Sequence, residues 1–100
     1  MSVKIDVPQE AIHEFCRTRG VKELAIFGSA LTDAFRPDSD VDVLVVLRDD
    51  AAWSLFDHIE AERELAEIFG REVDLVMKNA IRNPFRRHHI LNHLEVIYAA

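Results

Sequence analysis

Residues 27–42 constrain this 100-residue chain most. Gly28-Ser29 directly follows an apolar run, and Asp40-Val41-Asp42 opens a second one. Carboxylates two positions apart on a strand project from the same face, roughly 7 Å apart along the chain. At the mouth of an apolar strand they repel each other and are costly to bury unpaired, which favours a cation between them. Because the ligands are hard oxygens with no Cys or His nearby, the pattern predicts Mg²⁺ or Mn²⁺ rather than zinc.

The apolar pattern predicts alternating helices and strands in one domain, residues 1–100. Pro8 and Gly20 bracket the first helix, and Gly70 ends the second. The continuous apolar run after Asp42 indicates a strand that is covered on both faces. Residues 94–98 form either a last short strand or a helix end. The strands are predicted at 21–27, 40–47 and 72–77, and the two later helices at about 51–69 and at 81–92, entered through Asn83-Pro84.

The ends and buried faces of the helices follow from spacing and from capping residues. We expect Ser29 to cap a short helix that begins near Ala30, and Asp49 or Asp50 to cap the helix at 51–69. The buried stripe of that helix is expected at Ala52, Leu55, Phe56, Ile59, Ala66 and Phe69.

The order Gly-Ser, ten residues, Asp-x-Asp resembles the signature of the nucleotidyltransferase superfamily that includes DNA polymerase beta. It is most similar to the minimal nucleotidyltransferases that serve as antitoxins to HEPN toxins. The family's third carboxylate lies on a later strand, where this chain has Asp74. Taken alone, Gly28-Ser29 is typical of a strand-to-helix turn. Asp40 and Asp42 alone are typical of turn carboxylates that begin a strand, and Asp74 alone is typical of a polar residue on an edge strand. Their combined order and spacing favour the family.

The resemblance implies a nucleotidyltransferase fold, an α/β domain with a small mixed β-sheet covered by helices. For the motif residues to meet, strand 21–27 must run antiparallel to strand 40–47. Strand 72–77 must run parallel to strand 40–47, with the 51–69 helix as the crossover.

The resemblance also implies the roles of the motif residues. Asp40 and Asp42 bind the metal ions that hold the triphosphate of ATP. Asp74 completes a second metal site and helps to deprotonate the acceptor. Gly28 and Ser29 bring backbone N–H groups and a hydroxyl to the terminal phosphates.

One position departs from the family pattern. Members often carry a basic residue soon after Gly-Ser, but this chain has Leu31-Thr32-Asp33 there. Arg36 is the candidate that replaces the missing charge and contacts the nucleotide.

The implied activity is transfer of AMP from ATP to a hydroxyl of a partner HEPN toxin, with a tyrosine as acceptor. The chain would then act as an antitoxin within a hetero-oligomer. Two alternatives stay open: a binding module that neutralises its partner without chemistry, and an enzyme that transfers nucleotides to a small molecule.

Charge and composition limit the other partners. The net charge of −6 argues against general nucleic-acid binding. No apolar run has the length of a membrane span, and the single Cys16 suits the cytoplasm. Positive charge concentrates in residues 82–93. This segment is interpreted as a solvated helix face or as a site for triphosphate, RNA or an acidic partner. A third interpretation is a metal site at His89 and His93. The cationic members of this segment are Arg82, Arg86, Arg87, His88, His89 and His93.

Overall fold

The structure is a computed structural model that describes residues 6–32 and 39–100. Three α-helices and four β-strands alternate along the described chain, with short 3₁₀ turns at Gly28–Leu31 and Lys78–Ala80. The helices are α1 (Gln9–Arg19), α2 (Leu55–Phe69) and α3 (Pro84–Asn92), and the strands are β1 (Val21–Phe27), β2 (Val41–Leu47), β3 (Val73–Met77) and β4 (Leu94–Ala99).

The four strands form one mixed sheet in the order β3-β2-β1-β4. Strand β1 runs antiparallel to both β2 and β4. Strand β3 runs parallel to β2, and α2 is the crossover between them. The predicted fold class and strand directions are therefore confirmed, and residues 94–98, which the sequence left open, belong to a strand.

The two faces of the sheet carry different layers. Alternate residues of a strand point to opposite faces, so Leu24 and Ile26 pack with α1 and α2 in the larger core cluster. Ala25 and Phe27 point the other way and pack with Leu44 and with residues of the α3 region. Strand β2 is thus covered on both faces, as its continuous apolar run predicts.

The helix α2 begins later than the sequence analysis predicts, and a different residue caps it. Ser54 is the N-cap: its hydroxyl accepts a hydrogen bond from the Asp57 backbone N–H at 3.1 Å. The Asp57 carboxylate in turn accepts from the Ser54 N–H at 2.8 Å, which completes a capping box. The prediction that Asp49 or Asp50 caps this helix was wrong, whereas Gly70 ends it as expected, with φ of +69°.

The buried face of α2 is also not the one predicted. Ala61 and Leu65 are fully buried. Leu55, Phe56 and Ile59 are 73%, 76% and 43% exposed, so the predicted stripe was wrong over the first half of the helix.

Polar contacts with the sheet edge explain which face of α2 turns inward. His58 Nε2 lies 3.0 Å from the carbonyl oxygen of Leu75, and the Glu62 carboxylate accepts from the Leu75 N–H at 2.8 Å. These bonds satisfy both backbone groups that Leu75 presents on the open edge of β3. They therefore hold α2 with His58 and Glu62 turned towards β3.

The starts of α3 and of the turn after β1 also differ from the prediction, and α3 begins at Pro84 rather than at residue 81. Asn83 caps α3, and its side-chain oxygen accepts from the N–H groups of Phe85 and Arg86 at 2.9 and 3.1 Å. The 3₁₀ turn after β1 begins at Gly28, with Phe27 at its N-cap. Ser29 therefore lies within this turn, and the prediction that it caps a helix from Ala30 was wrong.

No helix in the described ranges combines the length and the apolar character needed to cross a membrane.

Candidate active site

The site forms at one end of the sheet, where the ends of three neighbouring strands meet. Strand β1 arrives with its C-terminal end, since Phe27 pairs with Asp42. Strand β3 starts beside the start of β2, and Asp42 pairs with Asp74. Gly28 directly follows Phe27 and therefore lies beside the paired residues Asp42 and Asp74, and Asp40 lies immediately before β2.

Gly28 lies so close to Asp42 that any side chain at this position would require the Asp42 carboxylate or the turn to move. Its φ of +75° lies in the left-handed region that favours glycine. A Cβ atom built at Gly28 would overlap Oδ2 of Asp42. The half-buried Ser29 follows directly in the 3₁₀ turn. The turn thus brings its backbone against the carboxylate at the centre of the site.

Asp42 is the electrostatic centre of this arrangement. Burial raises the pKa of its carboxyl group, and the negative charges of Asp74 and Asp40 raise it further. The guanidinium of Arg86 on α3 acts in the opposite direction on the same pKa. Three carboxylates and one arginine therefore share one electrostatic environment, on the sheet face that α3 covers.

The donor chemistry of this environment fits a hard divalent cation, because three carboxylates supply oxygen ligands only. In the ranges 6–32 and 39–100, no group of three or more His, Cys, Asp or Glu side chains is arranged to hold a metal ion. Asp40 and Asp74 are both exposed. The metal site at these residues therefore stays a prediction.

The predicted nucleotide contact at Arg36 lies outside the described residues, as does Asp33 in the position where the family often has a basic residue.

The cationic side chains of segment 82–93 are exposed, apart from the half-buried Arg87. Arg87 donates to the carbonyl oxygen of Lys78 at 2.7 Å. The rings of His89 and His93 stack with their centroids 4.3 Å apart. The positive charge of Arg86 lowers the pKa of Asp42. The sequence contains a signal for this last placement, because Arg86 lies four residues before the apolar Ile90 and therefore on the same face of α3, although the Arg86 side chain is exposed.

A mixed sheet with a glycine turn and carboxylates on adjacent strand ends is the architecture of a nucleotidyltransferase domain. The sequence profile described as "Nucleotidyltransferase domain" matches residues 9–97, and the chain belongs to this family. The family predicted from the sequence motif is confirmed.

The chain is similar to the protein adenylyltransferase MntA of Thermococcus cleftensis, with 41% identity over 64 residues. The aligned part is 64% of this chain and 63% of that protein, so the chain spans just under two thirds of its relative's length.

Two solved complexes share the fold at low sequence identity. A crystal structure of a toxin-antitoxin with AMP-PNP has a TM-score of 0.74 and 18% identity, covering 93% of this chain and 74% of that one. A tri-AMPylated HEPN toxin from Shewanella oneidensis in complex with MNT antitoxin gives a TM-score of 0.64 and 17% identity, covering 92% and 70%.

Proposed function

We propose that this chain transfers AMP from ATP to a hydroxyl group of a partner protein, and that the acceptor is a tyrosine of a HEPN toxin. The observation that carries the proposal is that Gly28, directly after β1, lies beside the paired residues Asp42 and Asp74 at the ends of adjacent strands. A backbone turn that can face phosphates and a set of carboxylates that can hold cations meet there. This pairing is what transfer from a nucleoside triphosphate requires.

The glycine turn and the carboxylates have distinct tasks in this proposal. Gly28 and Ser29 present backbone N–H groups and a hydroxyl to the terminal phosphates, because the missing side chain at Gly28 lets the turn come close. Asp40, Asp42 and Asp74 would hold Mg²⁺ or Mn²⁺. When bound, the cation neutralises charge on the triphosphate and on the pyrophosphate that leaves.

Asp74 has a second task because of its place in the sheet. It lies near the start of β3, which is the outer strand beside β2, and its side chain is exposed. An acceptor hydroxyl arriving from this side would meet its carboxylate first. We assign to the Asp74 carboxylate the removal of the acceptor proton.

The partner is inferred from what the similar proteins are named. The relative from Thermococcus cleftensis is a protein adenylyltransferase, and one similar structure holds an AMPylated HEPN toxin together with an MNT antitoxin. We therefore propose a HEPN toxin as partner, a hetero-oligomer as the working assembly, and an antitoxin role. Arg36 is proposed as a further contact to the nucleotide.

The test is intact-mass spectrometry of a HEPN toxin co-expressed with this chain. We expect the toxin to gain the mass of one or more AMP groups. The variant Asp40→Asn/Asp42→Asn should abolish this gain. The control Asp49→Asn/Asp50→Asn removes two exposed carboxylates at the opposite end of β2 and should leave the modification intact.

Each alternative activity has its own outcome in this experiment. If the wild-type chain and the variant at 40 and 42 both suppress toxicity and neither modifies the toxin, the chain is a binding module. If nucleotide is transferred only to a small molecule with a free hydroxyl, the protein acceptor is wrong. Modification at the wild-type rate by the variant would contradict the assignment of the carboxylates.

A further inference from the structure

A cavity of about 400 Å³ lies between the 3₁₀ turn after β1 and helix α3. Gly28 and Thr32 line it on the side of the turn. Its volume falls within the range of small-molecule sites. On the side of α3, where residues three and four apart share a face, it is lined by Arg86, His89, Ile90 and His93.

The lining combines an apolar floor with a polar rim. Phe27, Leu31 and Ile90 are 6%, 6% and 4% exposed and supply the floor. The rim carries the stacked imidazoles of His89 and His93, whose planes are inclined by only 23°. A flat heterocycle suits such a lining, since it buries apolar faces and stacks on rings. A bare phosphate would lose hydration against this floor without gaining hydrogen bonds there.

The cavity and the carboxylate site share residues. Gly28 lines the cavity and at the same time lies against Asp42. Arg86 lines the cavity, and its positive charge lowers the pKa of Asp42. The cavity therefore adjoins the carboxylate site at Gly28 and Arg86.

We propose that this cavity holds the nucleoside part of the triphosphate, with the base against His89 and His93 and the phosphates directed past Gly28 to Asp42. The inference rests on the proposed function and deepens it, because it assigns a nucleoside site that the motif residues do not provide. The acceptor is not expected there, because the cavity adjoins β1 and α3, whereas Asp74 lies on the other side of β2.

The test compares binding of ATP with binding of inorganic tripolyphosphate, both with Mg²⁺, by calorimetry on the full chain. The variant His89→Ala/His93→Ala removes the stacked rings. Thr32→Trp fills the cavity from the turn without changing α3, which covers the case in which the histidine variant folds poorly. The control His88→Ala removes an exposed imidazole of α3 that does not line the cavity.

We expect both cavity variants to lose affinity for ATP by about tenfold or more, as for loss of a base-stacking surface, while tripolyphosphate affinity and the His88 control stay unchanged. Equal losses for both ligands would show a phosphate site and overturn the proposal. The proposal is also overturned if neither cavity variant changes the affinity for ATP. If the wild-type chain binds neither ligand, the proposed function fails first, and the inference fails with it.

Discussion

Asp42 and Asp74 are direct partners across the parallel strands β2 and β3. Paired residues in neighbouring strands project to the same face of the sheet, so the two carboxylates stand side by side. The charge of Asp74 accordingly raises the pKa of Asp42, after the larger effect of burial. The ionised carboxylate of Asp42 therefore lowers the free energy of unfolding, and a bound cation would reverse this effect.

The raised pKa predicts how stability depends on pH at this position. Below 3.8, the ordinary value for Asp42, the group is protonated in both the folded and the unfolded chain and costs nothing. As the pH rises from 3.8 through the raised folded pKa, the unfolded chain ionises first, and folding loses stability. Asp42→Asn should therefore be more stable than wild type at pH about 7, by less than about 1 kcal/mol because the site is partly exposed.

Urea unfolding of wild type and Asp42→Asn at several pH values measures this difference. The advantage of the variant should shrink as the pH falls towards 3.8. The exposed Asp49 supplies the control, since Asp49→Asn should change little at any pH. A constant advantage at all pH values would contradict the electrostatic cause.

Joint binding of metal and nucleotide should stabilise the fold. A cation relieves the repulsion at Asp42, and the triphosphate then has a partner at the site. At 100 times its dissociation constant, a ligand that binds only the folded chain adds about 2.7 kcal/mol. Thermal melts with Mg²⁺, ATP, both or neither should show a shift with both that exceeds the sum of the single shifts. Asp40→Asn/Asp42→Asn should lose this joint shift, and its retention in that variant would place the metal elsewhere.

The directions and neighbours of β1, β2 and β3 could be predicted from the sequence for one physical reason. Gly28 can meet Asp42 and Asp74 only if β1 runs antiparallel and β3 parallel to β2, so the motif and the topology constrain each other. The face of α2 was not predictable in this way. Leu55, Phe56 and Ile59 form one apolar face of α2, and Ala61 and Leu65 belong to another. The sequence alone does not show which of the two faces is buried against the sheet.

Tertiary contacts decided what local signals left ambiguous. Ser54, Asp49 and Asp50 are all acceptable N-caps, and the choice among them follows from where α2 reaches the edge of β3. There, His58 and Glu62 bind the backbone of Leu75. These contacts join residues 13 and 17 positions apart, which no local pattern can indicate.

The capping box of α2 gives a prediction on stability. Ser54→Ala removes the hydroxyl that accepts from the Asp57 N–H, and loss of such a cap costs about 1 kcal/mol. For a domain of this size that lowers Tm by about 4–8 °C. Asp49→Ala, at a position that does not cap the helix, should leave Tm nearly unchanged. Equal effects of the two substitutions would contradict the observed start of α2.

The same box has a pH dependence of opposite sign to that of Asp42. The hydrogen bonds from the Ser54 backbone and side chain lower the pKa of Asp57 below its ordinary 3.8. Its contribution is therefore present above that value and is lost as the pH falls through the lowered folded pKa. In Ser54→Ala this loss should shift towards higher pH, which acid titration followed by circular dichroism measures.

Gly28 and Gly70 form a matched pair that separates backbone strain from crowding at the site. Their φ angles are nearly equal, +75° and +69°. An added Cβ meets nothing within 4 Å at Gly70, whereas at Gly28 it overlaps Oδ2 of Asp42. Gly70→Ala should therefore cost only the strain of a left-handed residue, about 1 to 2 kcal/mol, and retain nucleotide binding.

Gly28→Ala should cost more than Gly70→Ala and should also abolish ATP binding, because either the turn or Asp42 must move. The excess cost should vanish in the background Asp42→Ala, where no carboxylate remains for the new methyl group to meet. Urea unfolding of the two single variants and the double variant gives the coupling free energy between positions 28 and 42. A coupling near zero would mean that the turn moves away from β2 freely, and that the close approach of Gly28 to Asp42 is not what requires glycine at this position.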